Sequence, residues 1–422
     1  MSKLDELIQE YCPDGVEYKK LGEIATISRG GNLQKKDFCS DGIPCIHYGQ
    51  IYTKYGLFAN KTFTFISQDC ARKQKMAYPH DVVMAVTSEN IEDVCKCVAW
   101  LGNEAVAVSG HTAIIHHSQN AKYLTYFFHT EMFAAQKRKL VHGTKVMEVT
   151  PDTLKAITVP VPPLEVQREI VRILDNFTEL TAELTAELTA ELTARKKQYE
   201  YYRDKLLTFD AHEGGASDVV WRTIGEVALV TKLAGFEFTK YVTYSDTGKI
   251  IALRGLNVKN GRLNLEDVKY IDESDLSKLS RSKLHVGDML FTYVGTIGQV
   301  ALVDEEDRYY LAPNVALIRC DTSIIVPEYM RYYFQSGQFW DKQITRLLQS
   351  SSMKNIPMEK IRKFEIAIPP IEIQQRIVHV LDNFDAICSD LNIGLPAEIT
   401  ARQKQYEYYR DKLLNFSPLS QS

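Results

Sequence analysis

The segment from Pro162 to Phe209 returns as Pro369 to Phe416 at a constant offset of 207 without a gap, and 29 of its 48 positions are identical. Most of the others are conservative, among them Leu164 for Ile371, Val166 for Ile373 and Ile173 for Val380. Chance does not produce agreement of that length, so the chain is one unit written twice, and its fold must satisfy that repeat. Both copies close on Gln-Tyr-Glu-Tyr-Tyr-Arg-Asp-Lys-Leu-Leu, at 198–207 and 405–414. Fainter matches precede them: Leu21 to Ala25 with Ile224 to Ala228, Asp81 to Met84 with Asp288 to Phe291, and Gly110 to Ile115 with Pro313 to Ile318. Each unit is a diverged block followed by a fixed segment. Fixed parts imply one partner surface used twice, and diverged parts imply two different targets.

The fixed segment reads as helix. A Pro-Pro pair opens each copy, where proline is tolerated, and Glu165 or Glu372 follows where the helix dipole favours an acid. No Gly or Pro interrupts 164–209, whereas Gly394 and Pro396 predict a break or kink in the second copy. Forty-odd helical residues extend about 60 Å at 1.5 Å per residue. A helix that long cannot bury its apolar stripe alone, so the two are expected to pack on each other, antiparallel if a pseudo-twofold relates the units.

Inside the first helix Thr181-Ala182-Glu183-Leu184 repeats as 185–188 and 189–192, placing Leu180, Leu184, Leu188 and Leu192 in one row. Amphipathic packing explains the leucines but not the identity at every position. Each repeat adds about 6 Å and about 40° beyond a full turn. One base pair turns B-DNA by about 36°. A tract that gains or loses such units would act as a ruler along a duplex.

A net charge of −4 speaks against a nucleic-acid ligand only until it is mapped. Residues 16–150 carry +4 and 218–366 carry +1, whereas 1–15, 151–217 and 367–422 carry −3, −4 and −2. The diverged blocks are the basic ones, and the first holds seven of the ten histidines. No run of uncharged apolar residues is long enough to span a membrane, and the start lacks a signal-peptide pattern, so a cytoplasmic location is expected. The eight scattered cysteines form no Cys-x-x-Cys pair and are read as reduced thiols.

Two variable blocks, each followed by a long helix ending in that tyrosine-rich string, with Thr-Ala-Glu-Leu repeats in the central helix, resemble the specificity subunit of type I restriction-modification systems, particularly the IC subclass. The resemblance covers nearly the whole chain. It implies an α+β fold with two α/β target-recognition domains separated by two long helices packed as an antiparallel coiled coil, a pseudo-twofold internal repeat. The expected domains are a first recognition domain at 1–159, the central helix at 160–210, a second recognition domain at 211–366 and the C-terminal helix at 367–422. Each recognition domain would read one half of a bipartite site in double-stranded DNA, and the helices would set the unread spacer. Two methylation subunits and, in the full complex, two restriction subunits are the implied partners. S-adenosylmethionine, ATP and magnesium would serve those partners, with no cofactor bound by this chain. Thr87-Ser88-Glu89-Asn90 departs from the Gly295-Thr296-Ile297-Gly298 string at the matching place.

Phosphate loops, dinucleotide-binding glycine turns, zinc-protease and nucleophile-elbow motifs are all missing, as is the Asn/Asp-Pro-Pro-aromatic motif of amino-methyltransferases. That disfavours a self-sufficient DNA enzyme. The other rival is a duplicated coiled-coil adaptor that binds only protein. His116-His117 and Cys95-x-Cys97 lack a third or fourth ligand at usable spacing and read as structural. DNA contact needs Arg or Lys for phosphates and guanine edges and Asn or Gln for adenine edges. The first block offers Arg29, Asn32, Lys35, Lys36, His47, Tyr48, Gln50, Lys54 and Lys145; the second offers Lys232, Lys240, Arg254, Asn257, Lys259, Tyr293, Thr296, Gln299 and Lys354. For docking partner subunits the duplicated helices offer Phe177, Tyr199, Tyr202 and Arg203, with Phe384, Tyr406, Tyr409 and Arg410 as their copies.

Overall fold

Short continuous apolar runs, buried at every position in Val82–Ala85, Cys97–Trp100 and Met289–Thr292, build a sheet in each half. A computed structural model describes residues 2–209, 219–233, 238, 240–349, 355–389 and 394–419. The chain divides into two compact units, residues 1–187 with 399–422, and residues 188–398. In unit 1 a five-stranded sheet runs in the order Ala25–Arg29, Thr112–His117, Val82–Ala85, Cys97–Trp100, Phe58–Ala59, and a second holds Phe38–Cys39, Thr64–Ile66, Ile43–Ile46, Val106–Val108 and Lys75–Ala77. Unit 2 repeats the first as Ala228–Lys232, Val315–Cys320, Met289–Thr292 and Val300–Leu302. The faint matches 81–84 with 288–291 and 110–115 with 313–318 therefore mark corresponding central strands, paired antiparallel as Val82 with Ile115 and Met289 with Ile318.

The same three-part anchor fastens helix to sheet domain in each unit. The first long helix, α2, is unbroken over Leu164–Leu206; α1 spans Lys3–Tyr11. The second copy is split into α3, Ile371–Ser389, and α4, Leu395–Leu413. The break falls where Gly394 and Pro396 predict it, with Pro396 in the first turn of α4. Buried Gln167 accepts the Asn120 amide at 3.0 Å and donates to the Pro162 carbonyl at 2.8 Å. Its copy Gln374 accepts the Val326 amide and donates to the Pro369 carbonyl, both at 2.8 Å. Asp175 receives Lys122 at 2.6 Å and the Tyr126 hydroxyl at 2.9 Å, and Asp382 receives the Tyr332 hydroxyl and Arg331. Tyr123 and Tyr329 donate to the carbonyls of Pro160 and Ala367, both at 2.9 Å.

The closing strings are exchanged between copies. Asp411, at the end of the second copy, accepts the Glu131 amide of unit 1 at 3.0 Å, and Asp204, at the end of the first, accepts the Gly337 amide of unit 2 at 3.1 Å. Each carboxylate caps the first turn of a short helix, meeting amides left without partners there. Leu414 joins the core of unit 1 and Leu207 that of unit 2. Within unit 1 the helices run antiparallel: Phe177 stacks on Tyr409 at 5.8 Å, Thr178 bonds the Tyr406 hydroxyl at 3.0 Å, and Thr185 shares a cleft with Ile399 and Gln403. In unit 2 Tyr202 stacks on Phe384 at 5.9 Å. Among the described residues no helix is long and apolar enough to cross a membrane.

Candidate nucleic-acid interface

In unit 1 the loop after Arg29 has a fixed backbone. The amides of Gly30 and Gly31 bond the carbonyls of Thr112 and Val108 at 3.0 and 2.8 Å. A Cβ on Gly30 would lie 2.1 Å from the Ser109 oxygen, so only glycine allows this approach. Exposed Asn32, Gln34, Lys35 and Lys36 follow on that anchored backbone. Asn32, Gln34 and Lys36 line a polar cleft of about 490 Å³ with Asp37, Asp69, Lys73 and Gln74. Amides and ammonium groups on one rigid rim suit base edges and phosphates together. The sequence reading omitted Lys73 and Gln74, although the basic run Arg72-Lys73-Gln74-Lys75 is visible as such.

Other candidates of the first block divide by burial. Lys54 is exposed with its ammonium 5.4 Å from the centre of the exposed Phe63 ring, and Lys145 is exposed in the turn after Gly143. Arg29 is already engaged by Glu148 at 2.6 Å and the Gly110 carbonyl at 2.9 Å. Half-buried Tyr48 joins the rings of His47 and His111 at 4.6 and 4.9 Å. His47 and Gln50 are corrections. Both are buried: His47 Nδ1 accepts the Gly49 amide at 3.2 Å, and Gln50 bonds Thr64 at 3.1 Å. Burial pushes the His47 imidazole below its ordinary pKa, with the Lys35 charge adding to the shift.

In unit 2 the Gly295 to Gly298 string makes a tight turn, with both glycines in left-handed backbone, and a Cβ on Gly298 would strike the Trp340 ring at 2.6 Å. Thr296 is exposed at its tip, and half-buried Gln299 accepts the Asn260 amide at 3.0 Å. Lys232 is exposed with its ammonium 5.5 Å above the Tyr293 ring, which is itself buried. Lys240 and Lys259 are exposed, and Arg254 is held by Asp267 at 3.0 Å. Asn257 is the clearest correction: fully buried, it accepts the Arg254 amide at 3.0 Å and donates to the carbonyls of Asn264 and Asp267 at 2.9 and 2.8 Å, which leaves nothing for an adenine. Lys354 lies outside the described residues. In unit 1 the place of the glycine turn is taken by a wider loop that buried Lys137 holds through the carbonyls of Glu92 and Val94, both at 2.9 Å.

The partner-facing candidates prove to be part of the helix pairing. Arg203 and Arg410 are largely covered, lying 5.6 and 5.9 Å from the centres of the Tyr199 and Tyr406 rings. Burial raises both phenols, Tyr199 to about 12. Phe177, Tyr202 and Tyr409 keep one exposed face, and Phe384 is half-buried. More open than any of them are Tyr201 and Tyr408 of the same duplicated string, 61% and 62% exposed. Among the described residues no group of three or more His, Cys, Asp or Glu side chains is placed to hold a metal.

Two recognition-sized sheet domains, each clamped to a paired helix by duplicated contacts, define a bipartite scaffold. The family model described as the type I restriction modification DNA specificity domain matches residues 13–194 and again 216–401, and the chain belongs to that family. It is 30% identical over 337 residues to a putative type I restriction enzyme specificity subunit of Haemophilus influenzae, covering 75% of this chain and 77% of that one. It is 34% identical over 274 residues to a type I restriction enzyme specificity subunit of Escherichia coli, covering 62% and 63%. A chain from a solved structure of a type I restriction-modification assembly superposes with a TM-score of 0.69 at 16% identity, covering 96% of this chain and 98% of that one. The HsdS subunit of Thermoanaerobacter tengcongensis superposes at 0.53 and 15% identity, covering 96% of each chain. The protein is a DNA specificity subunit, and the adaptor without DNA specificity falls away.

Proposed function

We propose that this chain works without catalytic chemistry of its own, as the address-reading part of a complex in which two methylation subunits and two restriction subunits carry out methyl transfer and cleavage. S-adenosylmethionine, ATP and magnesium then belong to those partners, and the complex works in the cytoplasm. The observation that carries the reading is the duplicated anchor: Gln167 with Asp175 and Gln374 with Asp382 fix two different polar surfaces to two equivalent helix pairs. Lys35, Lys36, Lys54 and Lys73 serve the first half-site, and Lys232, Lys240, Lys259 and Thr296 the second. The exposed edges Tyr201 and Tyr408 serve identical partners. Since the methylated atom of adenine is inaccessible within the stack, the methylation subunit must draw the base out while this chain holds the flanking duplex.

The test is a methylation map. Cells expressing the complex are sequenced for N6-methyladenine with the parent chain and with a variant lacking residues 185–188. Removing four residues shortens α2 by about 6 Å and rotates its ends by about 40° beyond a turn, so both half-sites persist and the spacer contracts by about one pair. An unchanged spacer rejects the ruler, and loss of one half-site with the other kept rejects the scaffold. Lys36→Ala with Lys73→Ala weakens methylation without changing the sequence read and lowers the salt dependence of DNA binding.

A further inference from the structure

The three-part anchor recurs in both units, but one further contact of the long helices does not. Three positions after Asp382 in α3 stands Asp385, whose copy in α2 is Thr178. Thr178 stays within the helix junction, bonding the hydroxyls of Tyr126 and Tyr406 at 3.1 and 3.0 Å. Asp385 instead reaches into the sheet domain, where it accepts the Arg262 guanidinium at 2.6 Å.

Arg262 belongs to a hairpin with a two-residue turn. Val258 pairs with Leu263 and Lys259 with Arg262, while Asn260 and Gly261 between them both take left-handed backbone, as a type I′ turn requires. The hairpin lies along the strand Val300–Leu302: the Gly261 amide donates to the Val300 carbonyl at 2.9 Å, and the Asn260 amide to Gln299 Oε1 at 3.0 Å. A Cβ on Gly261 would lie 2.7 Å from the Gln335 carboxamide, so the turn is seated on that side chain as well. Exposed Lys259 stands opposite Arg262, and directly opposed residues of a ladder share a face. Two cations there repel unless one is neutralised, and Asp385 neutralises Arg262. Unit 1 fills the same place differently. Phe58–Ala59 lies parallel to Cys97–Trp100 as Gly261 does to Ala301, and Phe58 meets Tyr126 edge to face at 5.3 Å, with the Lys122 ammonium 4.7 Å from the Phe58 ring centre. Aromatic packing joins this segment to the helix junction in one unit, and an ion pair joins it in the other.

The Arg262 side chain is 53% exposed and that of Asp385 22%. A pair so open to water adds little to stability, but its charge-assisted hydrogen bond fixes distance and direction. We propose that Arg262 and Asp385 are a positioning pair for the second half-site. Through them α3 holds the hairpin, and so sets where Lys259 and, by way of Gln299, the Thr296 turn meet the phosphates of the duplex. The inference rests on the reading of unit 2 as the reader of one half-site. Its consequence is an asymmetry between the readers: salt screens an exposed ion pair and leaves aromatic packing in place, so the second reader loosens first as ionic strength rises.

The test uses the complex of the full chain with its methylation subunits on a duplex carrying the mapped site, with methyl transfer followed separately at the adenine of each half-site. Arg262→Ala should slow transfer at one adenine about tenfold relative to the other, because a small misplacement of a bound substrate is costly in rate. Asp385→Ala should do the same, the double variant should be no worse than either single one, and Arg262→Glu with Asp385→Arg should restore the parent ratio. Added salt should shift the parent ratio in the same direction, and that of Arg262→Ala less. Circular dichroism and melting verify that each variant folds. An unchanged ratio in both single variants overturns the proposal, and so do equal losses at both adenines, which mark a general loss of structure. An Arg262→Ala loss that the double variant compounds and the exchange does not restore also overturns it, since Arg262 is then itself a DNA contact. The parent complex reports separately: methylation of both adenines upholds the half-site reading whatever the variants do, and its absence rejects that reading and the pair together.

Discussion

Replacing Gln374 by methionine isolates what the duplicated clamp contributes. The carboxamide is fully buried, and its oxygen accepts the Val326 amide at 2.8 Å while its nitrogen donates to Pro369 and Ile324 carbonyls at 2.8 and 3.1 Å. Val326 precedes the helix Pro327–Gln335 and makes no side-chain cap of its own, so Gln374 caps that helix from a distant part of the sequence. Methionine matches glutamine in length and volume and adds apolar burial, so cavity formation and overpacking are both small. What remains is one buried N–H left without an acceptor and two carbonyls each losing a donor. At about 1–3 kcal/mol for an orphaned donor and less for carbonyls with a second lone pair, the loss comes to about 3 kcal/mol. That is a large share of the roughly 5–15 kcal/mol that stabilises a domain. Urea unfolding followed by tryptophan fluorescence reads it, because Trp221 and Trp340 lie in unit 2 and Trp100 in unit 1. Gln374→Glu keeps the acceptor for Val326 and loses the donors, so it should fall between parent and Gln374→Met. A Gln374→Met variant within about 0.5 kcal/mol of the parent, the ordinary scatter of surface changes, would refute the clamp.

Asp411→Ala removes the cap on Glu131 and should cost about 1 kcal/mol, seen as a lower urea midpoint for the transition reported by Trp100, while Asp204→Ala should act on the Trp340 signal instead. Burial holds His117 and His129 down to about 4, whereas both titrate near 6.5 when unfolded. The unfolded chain therefore binds more protons between those values, so stability is fully present above about pH 6.5 and is lost as pH falls toward 4. His129→Gln should flatten the dependence of the urea midpoint on pH across that window, and an unaltered slope would assign the acid sensitivity elsewhere.

Much of this organisation was readable in the residues. The repeat gave the two-unit plan, the Pro-Pro pairs marked the helix starts, and Gly394 with Pro396 marked the break, because each rests on a local backbone rule. The exchange of helix ends was not readable. Two nearly identical strings carry no mark of which sheet domain each one meets; contacts such as Asp411 with Glu131 and Asp204 with Gly337, and Leu414 and Leu207 in the two cores, reveal it. Three of the candidate site residues were misplaced for a related reason. His47, Gln50 and Asn257 have the donors and acceptors that base recognition needs, but the same groups satisfy buried backbone, and residue type alone does not distinguish the two uses. Lys35, Lys36 and Lys259 are exposed, where each ammonium keeps its hydration.

The exchanged helix ends also set an order in time. Unit 2 is a single stretch, residues 188–398, whose core can close once that stretch has been made. Unit 1 is not: Leu413, Leu414 and Phe416 belong to the core begun by Leu4 and Val16. The first-synthesised recognition domain thus waits for residues that follow the whole of unit 2 before its core is complete, reversing the usual sequence in which N-terminal domains finish first. The half of the molecule translated first is the half finished last, and a chain stalled late in synthesis would carry a finished second reader and an unfinished first one.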